Sequence, residues 1–86
     1  VEDLAAAAGL SATAFSREFK RVVGETPYRF LMTYRVERAQ EKLADTTEAM
    51  IEIALSCGFS DQAHFSRTFK SVVGQTPREY RKALAL

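Results

Sequence analysis

The sequence predicts an all-α fold in which two helix-turn-helix subdomains are joined by a long connecting helix. Three observations support this prediction: apolar residues recur at helical spacing, no segment shows the strict alternation of a strand, and a segment near the N-terminus recurs fifty residues later. The length of 86 residues allows one small domain, and a hydrophobic content of 47% is enough for a packed core.

The internal duplication is the most informative of these features. The segment 15–30 recurs as the segment 65–80, and ten of the sixteen aligned positions are identical. Two copies are too few for a solenoid, whose repeats stack in longer arrays. We therefore expect two related subdomains and a connecting element between them.

Each copy is preceded by a short amphipathic helix that ends at a glycine. The first has an apolar stripe of Val1, Leu4, Ala5 and Ala8 before Gly9, and the second has Met50, Ile53, Ala54 and Cys57 before Gly58. This i, i+3, i+4, i+7 spacing is that of a helix with one buried face. The glycine supplies a left-handed C-terminal turn, and Ala5 and Ala54 are small enough to let a second helix approach closely.

The repeated segments form the second helix of each pair. Their predicted ends are Ser11 and Gly24 in the first copy, and Ser60 or Asp61 and Gly74 in the second copy. A Thr-Pro pair follows each glycine and starts a new helix, with threonine as N-cap and proline at the first helical position. Thr76 and Glu79 also have the spacing of a capping box.

A helix from Pro27 to about Ala44 connects the two copies. Its apolar face consists of Met32, Val36, Ala39 and Leu43. We expect Asp45, Thr46 and Thr47 to end this helix and to cap the next one. The predicted bounds are about 1–24 for the first helix-turn-helix, 27–44 for the connecting helix, 48–74 for the second helix-turn-helix and 77–84 for a C-terminal helix.

The second helix of each pair has an outward face suited to DNA. A helical turn of about 100° per residue places Phe15, Phe19, Val22 and Val23 inside, as it does Phe65, Phe69, Val72 and Val73. The outward residues are Thr13, Ser16, Arg17 and Lys20 in one helix and Ala63, Ser66, Arg67 and Lys70 in the other. Small residues let a helix enter the major groove, arginine pairs with guanine, and lysine neutralises phosphate. We predict that Arg17 and Arg67 contact base edges and that Lys20 and Lys70 contact phosphate.

Each of the proposed DNA-contacting residues, and also Cys57, can be explained without a function. A polar outward face is more often simply solvated, and shared ancestry of two copies preserves residues without a function. The Ser-Arg and Lys pattern on both helices, beside glycine turns, favours DNA contact. Cys57 lies on an inward stripe, which favours a small buried hydrophobe over a redox sensor. His64 lies off the groove face, and a phosphate contact is favoured over a metal site, which needs further ligands.

Composition excludes several classes and leaves nucleic-acid binding open. The net charge of +1 permits DNA binding without requiring it. One cysteine excludes a disulfide framework and a cysteine metal cluster. No apolar run is long enough for a membrane span and no signal peptide opens the chain. With no oxidising signature we expect a cytoplasmic protein, and DNA binding would place it at the nucleoid.

Two other function classes compete with DNA binding. An enzyme is disfavoured because the sequence has no nucleophile–base pairing, no glycine-rich phosphate loop and a single histidine. We therefore expect no catalytic residues, no cofactor and no metal. A helical protein-interaction module is the more serious alternative. It predicts binding that is insensitive to Arg17 and Arg67, whereas DNA binding weakens steeply with salt.

These motifs together resemble the signature of AraC/XylS-type transcriptional regulators. The matching residues of the first half are Gly9-x-Ser11, Phe15-Ser16-Arg17-x-Phe19-Lys20 and Gly24-x-Thr26-Pro27. Those of the second half are Gly58-Phe59-Ser60-Asp61, Phe65-Ser66-Arg67-x-Phe69-Lys70, Gly74-x-Thr76-Pro77 and Tyr80-Arg81. The resemblance covers essentially the whole chain. It implies two homeodomain-like three-helix units that bind adjacent major grooves of double-stranded DNA and regulate bacterial transcription.

The resemblance also implies particular roles. The base-contacting set carried over by position is Thr13, Ser16, Arg17, Gln62, Ala63, Ser66 and Arg67. Thr13 and Ala63 are shorter than the residues many members carry. Activation is favoured, with RNA polymerase as a partner, and an effector or dimerisation domain is expected upstream. The family usually has a helix before the position of Val1. The connecting helix, about 27 Å long, approaches the roughly 34 Å between successive major grooves.

Overall fold

The structure, a computed structural model, describes residues 2–7 and 9–85. These residues form six helices and no strand, namely α1 (Glu2–Ala7), α2 (Ala12–Val23), α3 (Pro27–Asp45), α4 (Met50–Ser56), α5 (Gln62–Val73) and α6 (Pro77–Leu84). The predicted all-α class is confirmed. The chain divides into unit 1 (Val1–Met32) and unit 2 (Thr33–Leu86), so that each helix pair lies in its own unit.

The turns that follow α1 and α4 have the same backbone geometry. Gly9 and Gly58 have φ angles of 73° and 93°, in the left-handed region where a side chain is strained. In both turns the residue after the glycine donates its N–H to an alanine carbonyl: Leu10 to Ala5 at 2.9 Å, and Phe59 to Ala54 at 3.0 Å. Both alanines are buried, as expected where two helices approach closely.

Side chains cap the helices that follow these turns. The Ser11 hydroxyl accepts the backbone N–H three residues on at 3.1 Å. In unit 2 that role belongs to Asp61 rather than Ser60, with a carboxylate–N–H distance of 2.7 Å. The predicted capping box is confirmed, because Thr76 and Glu79 each accept the other's backbone N–H.

The start of α4 differs from the prediction. Its N-cap residue is Ala49, which has no side chain able to accept a hydrogen bond, and Asp45 is the last residue of α3. The expectation that Asp45, Thr46 and Thr47 cap α4 is therefore wrong. The Thr46 hydroxyl instead donates to the Lys42 carbonyl at 2.7 Å and closes the C-terminal turn of α3. The same hydroxyl accepts the Glu48 backbone N–H at 3.2 Å, two residues before α4 begins.

Unit 2 has a core built from three helices and one turn. Its buried apolar residues are Val36, Ala39, Leu43, Ile53, Ala54, Cys57, Phe59, Phe65 and Phe69. The rings of Phe59 and Phe69 lie 5.2 Å and 5.7 Å from the Phe65 ring, between centroids. Burial of each such aromatic side chain contributes about 1.5–3 kcal/mol. The predicted inner faces of α3, α4 and the first part of α5 are confirmed here.

Unit 1 is much less buried. The side chains of Phe15 and Phe19 are half-buried, and α2 has no fully buried residue. Val22 and Val23 are 69% and 44% exposed, and Leu4 is 57% exposed, so their predicted places in a core are wrong.

The two units differ in burial because α3 contributes more buried apolar residues to unit 2 than to unit 1. In unit 2 the α3 residues Val36, Ala39 and Leu43 are buried in the core, whereas the buried residues that α3 contributes to unit 1 are Pro27 and Met32. In unit 2 the valines equivalent to Val22 and Val23 are half-buried. Val1 and Ala8, predicted to complete the first stripe, lie outside the described residues.

One aromatic contact has the same geometry in both units. Phe19 meets Phe30 at a centroid distance of 5.6 Å and an interplanar angle of 73°. The aligned residues Phe69 and Tyr80 meet at 5.5 Å and 69°. Edge-to-face pairs of this kind are a favoured aromatic arrangement. Each pair fixes the second helix of its unit against the start of the next helix.

Candidate nucleic-acid interface

The outward face of α5 follows from its buried aromatic side. Phe65 and Phe69 are fully buried, so the residues on the other side of the helix are directed away from the core. The structure brings five predicted residues together on that side: Gln62, Ala63, Arg67 and Lys70, which are exposed, and Ser66, which is half-buried. Their order, from small or polar residues near the N-terminus to lysine near the C-terminus, is the one predicted from the sequence.

The outward face of α2 has the same arrangement in unit 1. Thr13, Arg17 and Lys20 are exposed, and Ser16 is half-buried. The residue aligned with Gln62 is Ala12, so the first turn of α2 has no amide side chain at that place. The two faces therefore share their serine, arginine and lysine and differ at their N-terminal ends.

The arginines of the two outward faces have no protein partner among the described residues. Arg17 and Arg67 form no ion pair and no side-chain hydrogen bond there. Several other arginines are engaged, namely Arg21 with Glu18, Arg29 with Glu25, Arg38 with Glu41, and Arg81 with backbone carbonyls. Arg17 and Arg67 thus keep their donors free for a ligand.

The pair formed by Glu18 and Arg21 lies on α2 next to the outward face. The Arg21 guanidinium donates to the Glu18 carboxylate and holds the pKa of that carboxyl below its usual value, first through the hydrogen bond and then through its charge. Both side chains are more than half exposed, so the pair contributes little to stability. The pair does occupy the Arg21 guanidinium with hydrogen bonds to Glu18. Arg17 is therefore the arginine of α2 that has no partner within the described part of the chain.

His64 is held at the side of the turn that precedes α5. Its Nδ1 lies 3.2 Å from the Ser60 hydroxyl oxygen, and its ring meets the Phe59 ring edge-to-face at 5.4 Å. The side chain is half-buried. Among the residues described, no group of three or more histidine, cysteine, aspartate or glutamate side chains is placed to hold a metal ion.

Comparison with known proteins assigns the chain to a family. The profile of a helix-turn-helix domain family matches residues 4–83. A crystal structure of a transcriptional regulator from Chromobacterium violaceum, of the class that contains AraC-type DNA-binding domains, matches with a TM-score of 0.83 and 36% identity. That match covers 98% of this chain and 75% of the other. The chain belongs to the AraC-type helix-turn-helix family.

A second solved structure adds a DNA complex to the neighbours of this AraC-type domain. The DNA-binding domain of the global transcriptional factor AdpA, solved in complex with a target DNA, matches with a TM-score of 0.89 and 35% identity. The match covers 95% of this chain and 74% of that chain. The resemblance to AraC/XylS-type regulators drawn from the sequence motifs is confirmed.

The curated relatives of this AraC-type domain are transcriptional regulators. The regulator Rv1931c of Mycobacterium tuberculosis is 38% identical over 85 residues, which cover 99% of this chain and 33% of the relative. The transcriptional activator RhaS of an Enterobacter species is 37% identical over 81 residues, which cover 94% of this chain and 29% of the relative. The chain thus spans about a third of the length of these relatives. Within the described residues, no helix is long and apolar enough to cross a membrane.

Proposed function

We propose that this AraC-type domain binds double-stranded DNA with sequence specificity, with α2 and α5 as recognition helices in adjacent major grooves. The observation that carries the proposal is the partner-free arginine on the outward side of each helix, Arg17 and Arg67. Each follows a half-buried serine and precedes an exposed lysine by three positions. A guanidinium without a partner among the described residues keeps the donor pair that matches guanine O6 and N7.

The proposed contacts follow from side-chain chemistry. The base-contacting set is Thr13, Ser16 and Arg17 in unit 1, and Gln62, Ala63, Ser66 and Arg67 in unit 2. Glutamine pairs with adenine N6 and N7, and the methyl groups of threonine and alanine pack against the thymine methyl. Lys20, Lys70 and His64 are proposed to contact phosphate. For His64 that contact uses Nε2, because Nδ1 faces Ser60.

The wider role that we propose is activation of bacterial transcription in the cytoplasm. The name of the RhaS relative supports activation, and we include RNA polymerase as the proposed protein partner. The relatives are about three times as long as this chain, which supports an additional effector or dimerisation domain in the whole protein. The proposal concerns binding and regulation, and it assigns no catalytic residue and no cofactor to this chain.

Selection of DNA from a random duplex library tests the proposal directly. The purified domain is incubated with the library, and retained duplexes are sequenced over several rounds. We expect two short enriched blocks about one helical turn apart. Arg17→Ala should relax one block and Arg67→Ala the other, because each guanidinium contacts bases of one groove. Lys20→Ala and Lys70→Ala should each lower the salt dependence of binding by about one counterion and leave both blocks intact.

Arg21→Ala is the matched control for Arg17→Ala. It removes the same side chain from the same helix, but that side chain is already paired with Glu18, so both blocks should persist. A single enriched block would show that one helix only anchors the domain and would contradict the two-groove proposal. A helical sample that shows no enrichment and no salt-sensitive binding would overturn DNA recognition and favour a protein-interaction module.

A further inference from the structure

A groove lies beside the outward face of α5 in unit 2. Its volume is about 300 Å³, and its lining residues are Met50, Gln62, Ser66, Thr76, Pro77 and Arg78. Two of these residues belong to the proposed base-contacting set, and three belong to the cap and first turn of α6. The groove is therefore continuous with the recognition face, and its far wall comes from α6.

The groove runs along one stripe of α5. Gln62, Ser66 and Lys70 are spaced four residues apart, so they lie on the same side of the helix. Gln62 and Ser66 line the groove together with residues of α6. At these two residues the stripe thus faces the first turn of α6.

Arg78 is the cation of that first turn. Its side chain is exposed, and it forms no ion pair within the described part of the chain. The neighbouring Glu79 carboxylate accepts the Thr76 backbone N–H at 2.8 Å in the capping box. The guanidinium is left beside the recognition face with all of its donors available.

We infer that Arg78 contacts the phosphate backbone of the DNA strand that flanks the major groove entered by α5. This inference rests on the proposed function. A helix in the major groove has a sugar-phosphate strand on each side, and a guanidinium on the wall beside the helix meets that strand rather than the base edges. Arginine binds phosphate oxygens bidentately. Contacts of this type position a protein on the duplex and carry no sequence information.

The duplication limits this contact to unit 2. The residue aligned with Arg78 in the first copy is Tyr28, whose side chain is 61% exposed. A phenol has no positive charge, and it releases no counterion when it meets a phosphate. We therefore expect the second helix-turn-helix to have one more ionic phosphate contact at this position than the first.

The test compares Arg78→Ala, Arg78→Lys and Arg78→Tyr with the unsubstituted chain on a selected duplex and on an unrelated duplex, across a salt titration. Arg78→Ala should weaken binding about tenfold on both duplexes and lower the slope of log K against log salt by about one. Arg78→Tyr should behave in the same way, whereas Arg78→Lys should keep the slope. Arg38→Ala, an equal charge change on α3 away from the groove, should alter neither quantity.

The possible outcomes separate this inference from the proposed function. Normal binding by the unsubstituted chain, with Arg78→Ala within twofold on both duplexes, would overturn the Arg78 contact alone. A loss confined to the selected duplex would also overturn it, because Arg78 would then contact a base. Failure of the unsubstituted chain to bind any duplex would overturn the proposed function and this contact together.

Discussion

The Nη1 atom of Arg81 lies 2.7 Å from the backbone carbonyl oxygen of Glu48, a residue 33 positions earlier in the chain. The same guanidinium donates to the carbonyls of Thr46 at 3.1 Å and Leu43 at 3.3 Å. One side chain on α6 therefore holds the connection between α3 and α4. The aligned residue in the first copy is Leu31, which has no such donors.

Replacing Arg81 with lysine should destabilise unit 2 by about 2 kcal/mol, because a single ammonium cannot reach three separated carbonyls as the planar guanidinium does. The free energy of unfolding is measured by urea titration followed by helical circular dichroism. Lys82→Ala removes an exposed neighbouring cation of the same helix and should change stability by less than about 0.5 kcal/mol. Equal midpoints for Arg81→Lys and the unsubstituted chain would show that these hydrogen bonds contribute nothing net.

The two copies should respond differently to loss of their first aromatic residue. Phe65 is completely buried, and Phe65→Ala should cost about 3–5 kcal/mol, which includes the cavity that it leaves. Phe15 is half-buried, and Phe15→Ala should cost less than half as much. If Phe65→Ala does not fold, Phe65→Leu provides a milder comparison with Phe15→Leu. Equal losses at both positions would contradict the difference in burial between the units.

Alanine substitutions at two glycines with nearly identical φ angles can separate the cost of backbone strain from the cost of steric crowding. Gly58 and Gly74 have φ of 93° and 94°, so alanine at either position should cost about 1–2 kcal/mol from backbone strain. A Cβ at Gly58 would lie 2.9 Å from Arg35 Nε, whereas a Cβ at Gly74 would meet nothing within 4 Å. The Arg35 guanidinium is the far end of a flexible side chain and can move aside. Gly58→Ala should therefore cost only slightly more than Gly74→Ala in urea titration, and Arg35→Ala should remove that small excess. An excess that survives Arg35→Ala would contradict this account.

Acid should weaken the capping box of α6. The Thr76 backbone N–H, followed by the Thr76 hydroxyl, lowers the pKa of Glu79 below its usual 4.5. A carboxyl with a lowered folded-state pKa stabilises the fold above its unfolded-state pKa, and this contribution is lost as the pH falls through the folded-state value. The urea concentration at the unfolding midpoint should therefore decrease as the pH is lowered below about 4.5. Glu79→Gln should make this pH dependence weaker. Parallel pH curves for the two chains would contradict a role for this carboxylate.

The sequence predicts those structural features that depend on residues close together along the chain. The glycine turns, the Ser11 cap and the Thr76 capping box are fixed by residues within four positions, and each is confirmed. The outward placement of Arg17 and Arg67 also follows locally, because the phase of the buried aromatics fixes the opposite side of each helix. Base contact by these two residues stays a prediction.

What the sequence did not predict depends on distant residues. The exposure of Val22 and Val23 reflects which helix faces pack in unit 1, and helical periodicity does not specify that. The hydrogen bonds of Arg81 join residues more than thirty positions apart. The position of Arg78 beside Gln62 and Ser66 requires α6 to return next to α5. A signal for Arg78 was nevertheless present, since the two copies differ there while the preceding Thr-Pro pair is retained.

The matched aromatic pairs of the two units have an evolutionary consequence. Phe19 with Phe30 and Phe69 with Tyr80 keep one geometry although α2 begins with Ala-Thr and α5 begins with Gln-Ala. The two copies thus differ at the first two positions of these helices while the geometry of the ring pair is kept. Under the proposed function, each half can change the bases it prefers without altering this packing. The number of DNA sites that such domains can distinguish then grows as the product of the possibilities of the two halves rather than as their sum.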